Sequence, residues 1–242
     1  MTYRTKSLAE TTALSLSAHI VQLGGWVEIR SDFDAWIDFI SKKTAVNPAF
    51  NPDNHDLSEA FWIRLSVDGQ TVGTVATRYL HGSFFEFMRT GELWFGRHTT
   101  EEHRVDLNEC DSAPTLSGHL CYYGALWLDQ SCRGTGLSSL MSKLNRCIGM
   151  SRWTPDWNCG GVFQPIALKQ LPKQVYGYPN CERVAHDVWF PPTGRREDIF
   201  TPWESRAEWE DIAKTWMLET VESVQPGLRS TPMSGEQRPM PS

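Results

Sequence analysis

Residues 126–146 constrain the fold of this chain more than any other part of the sequence. An apolar stretch, 118–128, leads into a glycine-rich turn that contains Gly134 and Gly136. Immediately afterwards, apolar residues recur at the spacing of one face of a helix, up to Ile148. A buried strand followed by a tight turn and an amphipathic helix is typical of an α/β fold in which the helix packs on a sheet.

The turn between this strand and this helix is predicted to bind an anion. Glycines let the backbone approach a ligand closely, and the first N–H groups of a helix have no partner within the helix. The helix dipole also favours negative charge there, and Arg133 adds a cation. Residues 137–139, Leu-Ser-Ser, supply neither the lysine of a nucleotide-hydrolysing loop nor the third glycine of a dinucleotide fingerprint. The pattern therefore indicates another phosphate or pyrophosphate ligand.

Local patterns predict the other elements of the chain. Alternation on both sides of Asp68-Gly69 predicts a hairpin over 61–80, with Gly73 at a bulge. The Thr201-x-x-Glu204 pattern, with proline at the first helical position, predicts a helix over 201–224 that buries Trp209 and Trp216. We also expect helices from residue 31 to about 40, over 137–148 and over 165–174, and a strand over 183–190.

These residues resemble the acetyl-CoA signature of the GCN5-related N-acetyltransferase family, R/Q-x-x-G-x-G/A. Arg133-x-x-Gly136-x-Ser138 matches it, with serine in the last small-residue position. The hairpin, the strand at 118–128, the following helix, a short strand and a second helix come in the family's order. Gly177-Tyr178 looks like the family's glycine-aromatic step, and 183–190 would be the closing strand. The resemblance covers about residues 30–190.

The resemblance implies acetyl-CoA as co-substrate, no metal, and a mixed, mostly antiparallel sheet flanked by helices. Backbone N–H groups of the turn would hold the CoA pyrophosphate, and the strand end would hold the pantetheine and polarise the thioester carbonyl. The implied cofactor-binding residues are Leu126, Trp127, Leu128, Arg133, Gly134, Thr135, Gly136, Leu137 and Ser138.

Four residues are candidates for catalysis. Many family members place a tyrosine general acid where this chain has Lys173, and Tyr176 lies beside the glycine-aromatic step instead. His119 and Tyr123 fall on one side of the predicted central strand, and a histidine suits a base at neutral pH. Glu86, in an aromatic segment, suits a base or a contact to a cationic acceptor.

Composition excludes several other classes of protein. The net charge of -6 argues against a general nucleic-acid binder, and no apolar run is long enough to span a bilayer. Residues 1–19 lack the continuous apolar core of a secretory signal. Six widely spaced cysteines, with no zinc-like spacing, predict reduced thiols in a cytoplasmic protein.

We therefore expect an N-acetyltransferase that moves an acetyl group directly to a primary amine of a small molecule or protein. Acidic residues in 98–111 would favour a cationic acceptor. The alternatives are a non-catalytic module of the same fold, which senses acyl-CoA or acts through protein contacts, and an unrelated phosphate-binding α/β protein. The C-terminal helix would offer a surface for a partner or a second copy. The expected organisation is an N-terminal segment 1–30, the acetyltransferase-like domain 31–190 with an insertion near 81–117, a helical extension 191–224 and a disordered tail 225–242.

Overall fold

The computed structural model describes residues 2–112 and 115–224, and its centre is an eight-stranded sheet. Helices cover both faces of this sheet, as the sequence predicts. In chain order the elements are α1 (Thr2–Gln22), β1 (Gly25–Arg30), α2 (Phe33–Ile40), β2 (Ala60–Val67), β3 (Gln70–Ser83), α3 (Phe84–Thr90), α4 (Glu92–Phe95), β4 (Ser117–Leu128), α5 (Leu137–Trp153), β5 (Trp157–Gly160), β6 (Val162–Phe163), α6 (Gln164–Leu168), α7 (Leu171–Gln174), β7 (Asn180–Phe190), β8 (Arg195–Ser205) and α8 (Arg206–Val224).

Strand pairing confirms the predicted mixed, mostly antiparallel sheet. Strands β1 to β4 are neighbours in sequence order and pair antiparallel, whereas β4 and β5 pair in parallel. Strand β8 lies between β5 and β7 and pairs antiparallel with both. The strand predicted over 183–190 is therefore at an edge, and the later strand β8 completes the middle of the sheet.

The hairpin of β2 and β3 confirms its sequence signal. Asp68 and Gly69 both have positive φ, +50° and +74°, as a two-residue hairpin turn requires. The register between the strands shifts beside Gly73, where the sequence predicts a bulge. A Cβ at Gly73 would lie 3.0 Å from the sulfur of Met141 on α5, so glycine also allows close helix–sheet packing here.

Two hydrophobic cores lie on opposite faces of the sheet. One contains apolar residues of α2, α3 and α4, including the fully buried Trp36. The other lies beneath α1, α5 and α8 and includes Leu144, Trp209 and Trp216. The tryptophans of α8 thus pack within their own chain, facing inward as predicted. Residues 2–22, which carry no clear sequence pattern, form the long helix α1 against α5 and α8.

The prediction that a helix begins at Thr201 is wrong. Residues 201–205 are the end of β8, and Trp203 pairs with Cys159 of β5. The helix begins at Arg206, where a second pattern of the same kind forms the real capping box. The Glu208 carboxylate accepts hydrogen bonds from the Ser205 N–H and hydroxyl, both at 2.7 Å, and the Ser205 hydroxyl accepts one from the Glu208 N–H at 3.3 Å.

The other segments differ from their predictions in detail. The helix expected over 165–174 is two short helices, α6 and α7, with Pro172 in the first turn of the second. Residues 81–98 continue β3 and then form α3, α4 and a 3₁₀ turn. The segment 191–224 contributes β8 as well as α8. The tail predicted over 225–242 lies outside the described residues.

Candidate functional site

A cleft opens where β4 and β5 separate. Their parallel pairing ends at Tyr123 opposite Gly160, and β4 then continues for five residues without this partner. A Cβ on Gly160 would lie 2.9 Å from the Tyr123 carbonyl oxygen, so glycine allows the strands to touch where they begin to diverge. The splay leaves main-chain groups of residues 124–128 unpaired on the β5 side.

A bulge in β4 turns side chains at this point. Thr74 of β3 pairs with Trp127 and Ala76 pairs with Gly124, so β4 carries one extra residue, and Ala125 has φ +54°. Leu126 and Leu128 consequently point toward the α5 face, and Trp127 points to the opposite face. The Trp127 ring lies 5.6 Å from that of Phe39, outside the cleft.

The cleft encloses about 210 Å³ between β4, α5 and the segment after β5. Among the described residues that line it, none is charged, and the polar side chains are tyrosines, Ser142 and Asn145. The Asn145 amide is fixed by Thr77, whose hydroxyl donates to its oxygen at 2.8 Å. The lining consists of Val75, Tyr123, Gly124, Ala125, Leu126, Ser142, Asn145, Gly160, Gly161, Val162, Phe163, Ile166, Tyr176, Tyr178 and Pro202.

The glycine turn lies at the N-terminus of α5, beyond the end of β4. Gly134 and Gly136 adopt φ of +78° and +84°, and a Cβ at either would meet no atom within 4 Å. No side chain caps the helix at Gly136, and the Leu140 N–H donates to the Gly136 carbonyl at 3.1 Å. The N–H groups of Leu137, Ser138 and Ser139 therefore lack intrahelical acceptors. This open turn lies about 9 Å along the helix axis from Ser142 in the cleft.

Two tyrosines predicted as catalytic candidates, Tyr123 and Tyr176, both line the cleft. Tyr123 is buried, which raises the pKa of its phenol well above 10, and its hydroxyl donates to Asn158 Oδ1 at 3.0 Å. Tyr176 follows α7 and is half-buried, and burial raises its pKa also. Both phenols are therefore protonated at neutral pH.

His119 and Glu86 lie outside the cleft lining. His119 is at the start of β4, four residues and about 13 Å before Tyr123. It hydrogen-bonds the hydroxyl of Tyr79 and stacks on that ring. Glu86 is exposed on α3 and pairs with Arg89 at 3.0 Å. Lys173, at the position of the family's tyrosine, is exposed on α7 and also lies outside the lining.

Sequence reasoning missed a buried ion pair behind the cleft. Arg146 of α5 and Glu204 of β8 have fully buried side chains and approach within 2.8 Å. The Asn158 amide connects the pair to Tyr123, because it donates to the second Glu204 oxygen at 2.9 Å. The one available signal is the pair Asn145-Arg146, polar residues that directly follow the apolar stripe position Leu144.

The similarity of this chain to known proteins is found in its structure and not in its sequence. No protein-family model matches the sequence, and no curated protein matches it. Mutant forms of the spermidine/spermine N-acetyltransferase SpeG from Vibrio cholerae are similar to this chain, at 9% identity over 78% of it and 97% of SpeG, with a TM-score of 0.46.

Two further solved structures show comparable similarity. FeeM, an N-acyl amino acid synthase from uncultured soil microbes, has 10% identity over 76% of this chain and 92% of its own, with a TM-score of 0.45. Arabidopsis thaliana NAA60 in complex with acetyl-CoA has 11% identity over 74% and 98%, with a TM-score of 0.41.

No group of three or more His, Cys, Asp or Glu side chains in 2–112 and 115–224 is placed to hold a metal ion. Over the same ranges, no helix has the length and hydropathy needed to cross a bilayer.

Proposed function

We propose that this chain is an acyl-CoA-dependent N-acyltransferase of the GCN5-related type, which transfers an acetyl group to a primary amine. The observation that carries the proposal is that two features lie along one helix. Ser142 and Asn145 of α5 line the cleft between the diverging strands β4 and β5, and the uncapped N-terminus at Gly136 lies about 9 Å away along the axis of the same helix. One feature suits a thioester arm and the other suits a pyrophosphate.

The turn fits a pyrophosphate in both charge and shape. Unpaired N–H groups at the start of α5 point out of the helix, and Arg133 and Gly134 are exposed beside them. Because a Cβ at Gly134 or Gly136 would meet no protein atom, the space beside each glycine is free for a ligand. In this proposal residues 133–138 hold the phosphates, and Leu126 and Leu128 contact the pantetheine arm.

The chain's own groups then support direct transfer. Acetyl-CoA supplies the activated acyl group. Those main-chain N–H groups of residues 124–128 that face away from β3 polarise the thioester carbonyl. The neutral amine forms the new C–N bond as the C–S bond breaks, and its surplus proton leaves to water. Tyr176 donates its phenolic proton to the departing thiolate and regains a proton from solvent.

The lining of the cleft bears on the choice of acceptor. Residues 98–111, whose acidic side chains were expected on the acceptor side, do not line the cleft. Glu109 is instead paired with Arg183 at 2.6 Å. Because the described lining is uncharged and largely apolar, we favour an acceptor that carries no charged group close to the amine that reacts.

A thiol-release assay tests the transfer step. Purified protein is incubated with acetyl-CoA and a panel of primary amines, and free CoA is measured. We expect turnover with at least one amine, and a kcat about 100-fold lower in Tyr176→Phe because the general acid is lost. The control is Tyr3→Phe, which alters an exposed tyrosine of α1. Turnover that is unchanged in Tyr176→Phe would exclude this tyrosine as the acid, and CoA binding without any turnover would favour the non-catalytic module.

A further inference from the structure

The stability of the core does not require an ion pair at the positions of Arg146 and Glu204. Both side chains are fully buried between α5 and β8. Desolvation of two charges offsets much of their attraction, so an apolar pair of similar volume is often equally stable. The position of the pair, directly behind the cleft wall, points instead to a role in the site.

Arg146 makes four contacts to one short segment of the cleft wall and to the helix beyond it. Its guanidinium donates to the carbonyl of Tyr176 and, at 3.4 Å, to that of Gly177. The guanidinium carbon lies 4.1 Å from the centre of the Tyr178 ring and 4.6 Å from that of Trp216. A buried side chain of α5 thus contacts two consecutive peptide groups, Tyr176–Gly177 and Gly177–Tyr178.

Gly177 shows how tightly this segment is packed. Its φ of +75° is a conformation that other residues rarely adopt. A Cβ there would lie 3.1 Å from the Trp216 ring and 3.4 Å from the Arg146 guanidinium. The direction in which Tyr176 leaves the backbone is therefore set by Arg146 together with a glycine-specific conformation.

Glu204 fixes the second tyrosine by a different route. One of its oxygens accepts from Arg146 and the other accepts from the Asn158 amide nitrogen. A carboxylate can only accept, so the Asn158 amide must present its oxygen to Tyr123. The Tyr123 hydroxyl then donates its hydrogen to that oxygen, away from the cleft. This hydrogen is therefore not available to a ligand in the cleft.

We propose that Arg146 and Glu204 are positioning residues for the acid step: they hold the Tyr176 phenol in the cleft and reserve the Tyr123 proton for the buried network. This inference rests on the proposed function. Three tyrosines line the cleft: Tyr178 is buried with its ring against Arg146, and the Tyr123 hydroxyl donates to Asn158, so the proposal assigns the proton transfer to Tyr176. Neither Arg146 nor Glu204 touches the reacting atoms.

A double-mutant cycle separates positioning from a general structural role. Arg146→Met is expected to lower kcat about 100-fold and to change the KM for acetyl-CoA less than threefold, because the pyrophosphate turn is untouched. In a Tyr176→Phe background, Arg146→Met should lower kcat by less than about a further threefold. The reason is that the phenol which Arg146 positions is already absent. If the loss of kcat in the double variant equals the product of the losses in the two single variants, the proposal is wrong.

The matched control is Arg152→Met, which removes another arginine of α5 that stacks on Phe61 on the same side of the sheet. It should leave kcat unchanged. If Arg146→Met does not fold, Arg146→Lys and Glu204→Gln replace it in the cycle. Arg146→Lys preserves the positive charge and Glu204→Gln preserves side-chain size, and the same lack of additivity with Tyr176→Phe is expected.

A readout independent of turnover distinguishes failure of this inference from failure of the proposed function. Tyrosine-ring ¹³C NMR, with Tyr176→Phe to assign the signal, follows the Tyr176 phenol during a pH titration. Loosening the segment in Arg146→Lys or Glu204→Gln should expose the phenol and lower its burial-raised pKa toward 10. Arg152→Met should not change the titration. If Tyr176 titrates identically in all variants, the ion pair does not position it, whether or not the protein is an acetyltransferase.

Discussion

The imidazole of His55 lies against the carbonyl of Trp94, 3.2 Å from its Nε2 atom. Burial, helped by the positive charge of Arg78, lowers the pKa of His55 from 6.5 to about 4. Between these two values the unfolded chain binds a proton that the folded chain does not. The free energy of unfolding must therefore fall as the pH is lowered through this window.

Wild-type stability should decrease from pH 6.5 to pH 4, with at most about 1.4 kcal/mol per pH unit due to His55. The variant His55→Gln keeps a donor for the Trp94 carbonyl but does not titrate. Urea unfolding at a series of pH values should show a shallower slope in this variant over the same window. Equal slopes in the two proteins would show that His55 is not the responsible group.

Local sequence patterns identify part of the site that we propose. A turn signal identifies Gly134 and Gly136, and the neighbouring glycine-aromatic step identifies Tyr176, which lines the cleft. Arg146 and Glu204 were missed, since they are 58 positions apart and only the folded sheet brings them together. His119 suits a base by its chemistry, but its position on β4 places it at the far end of the strand from the cleft.

At the scale of elements, two copies of one pattern show how burial decides where a helix begins. Thr201-x-x-Glu204 and Ser205-x-x-Glu208 are both capping-box sequences. The first is fully buried in β8, where Glu204 meets Arg146, and the second lies at the end of the strand, where the helix can start. Local sequence alone does not separate them, because the difference is a pairing with β5.

The two positions give opposite predictions for stability. Ser205→Ala should lower the free energy of unfolding by about 1 kcal/mol through loss of the cap. Thr201→Val should be neutral or stabilising, because the buried Thr201 hydroxyl has no hydrogen-bond partner among the described residues. Chemical denaturation of both variants measures the difference. Destabilisation by Thr201→Val together with no effect of Ser205→Ala would mean that the helix begins at Thr201 after all.

The N-terminal helix α1 was not predicted, because its pattern also depends on burial by distant elements. The buried positions of α1 are Thr5, Ala9, Thr12, Leu16 and Ile20, which have helical spacing but include two threonines. The Thr12 hydroxyl donates to the Leu8 carbonyl at 2.8 Å, which satisfies it inside the core. An apolar stripe interrupted by such residues is weak in the sequence and clear only when α5 and α8 lie against it.

At the scale of the whole molecule, the proposed site combines one contiguous segment, from β4 to α5, with residues that are distant from it in the sequence. The unit from β4 to α5 follows from sequence, because strand, turn and helix are contiguous. The cleft does not follow, since it requires β5 to pair in parallel with β4, then to diverge, and β8 to supply Pro202. These long-range pairings bring Tyr176 to the cleft and the buried ion pair behind its wall, and our central claim is that the cleft and the turn together bind acyl-CoA.

Calorimetric titration with acetyl-CoA and desulfo-CoA is the most direct test of that claim. The proteins to compare are the wild type, Gly136→Val and Gly194→Val. Gly194 is a matched control, because it also has positive φ and open surroundings but lies in the turn between β7 and β8. Valine is strained at either position because both glycines have positive φ, and thermal melts will show whether each variant is folded.

We expect wild-type Kd values on the order of 10 μM, a loss of at least about 30-fold in Gly136→Val and wild-type affinity in Gly194→Val. Absence of binding to the folded wild type at millimolar acetyl-CoA, or equal affinity in Gly136→Val and Gly194→Val, would contradict the assignment of the turn and cleft as an acyl-CoA site.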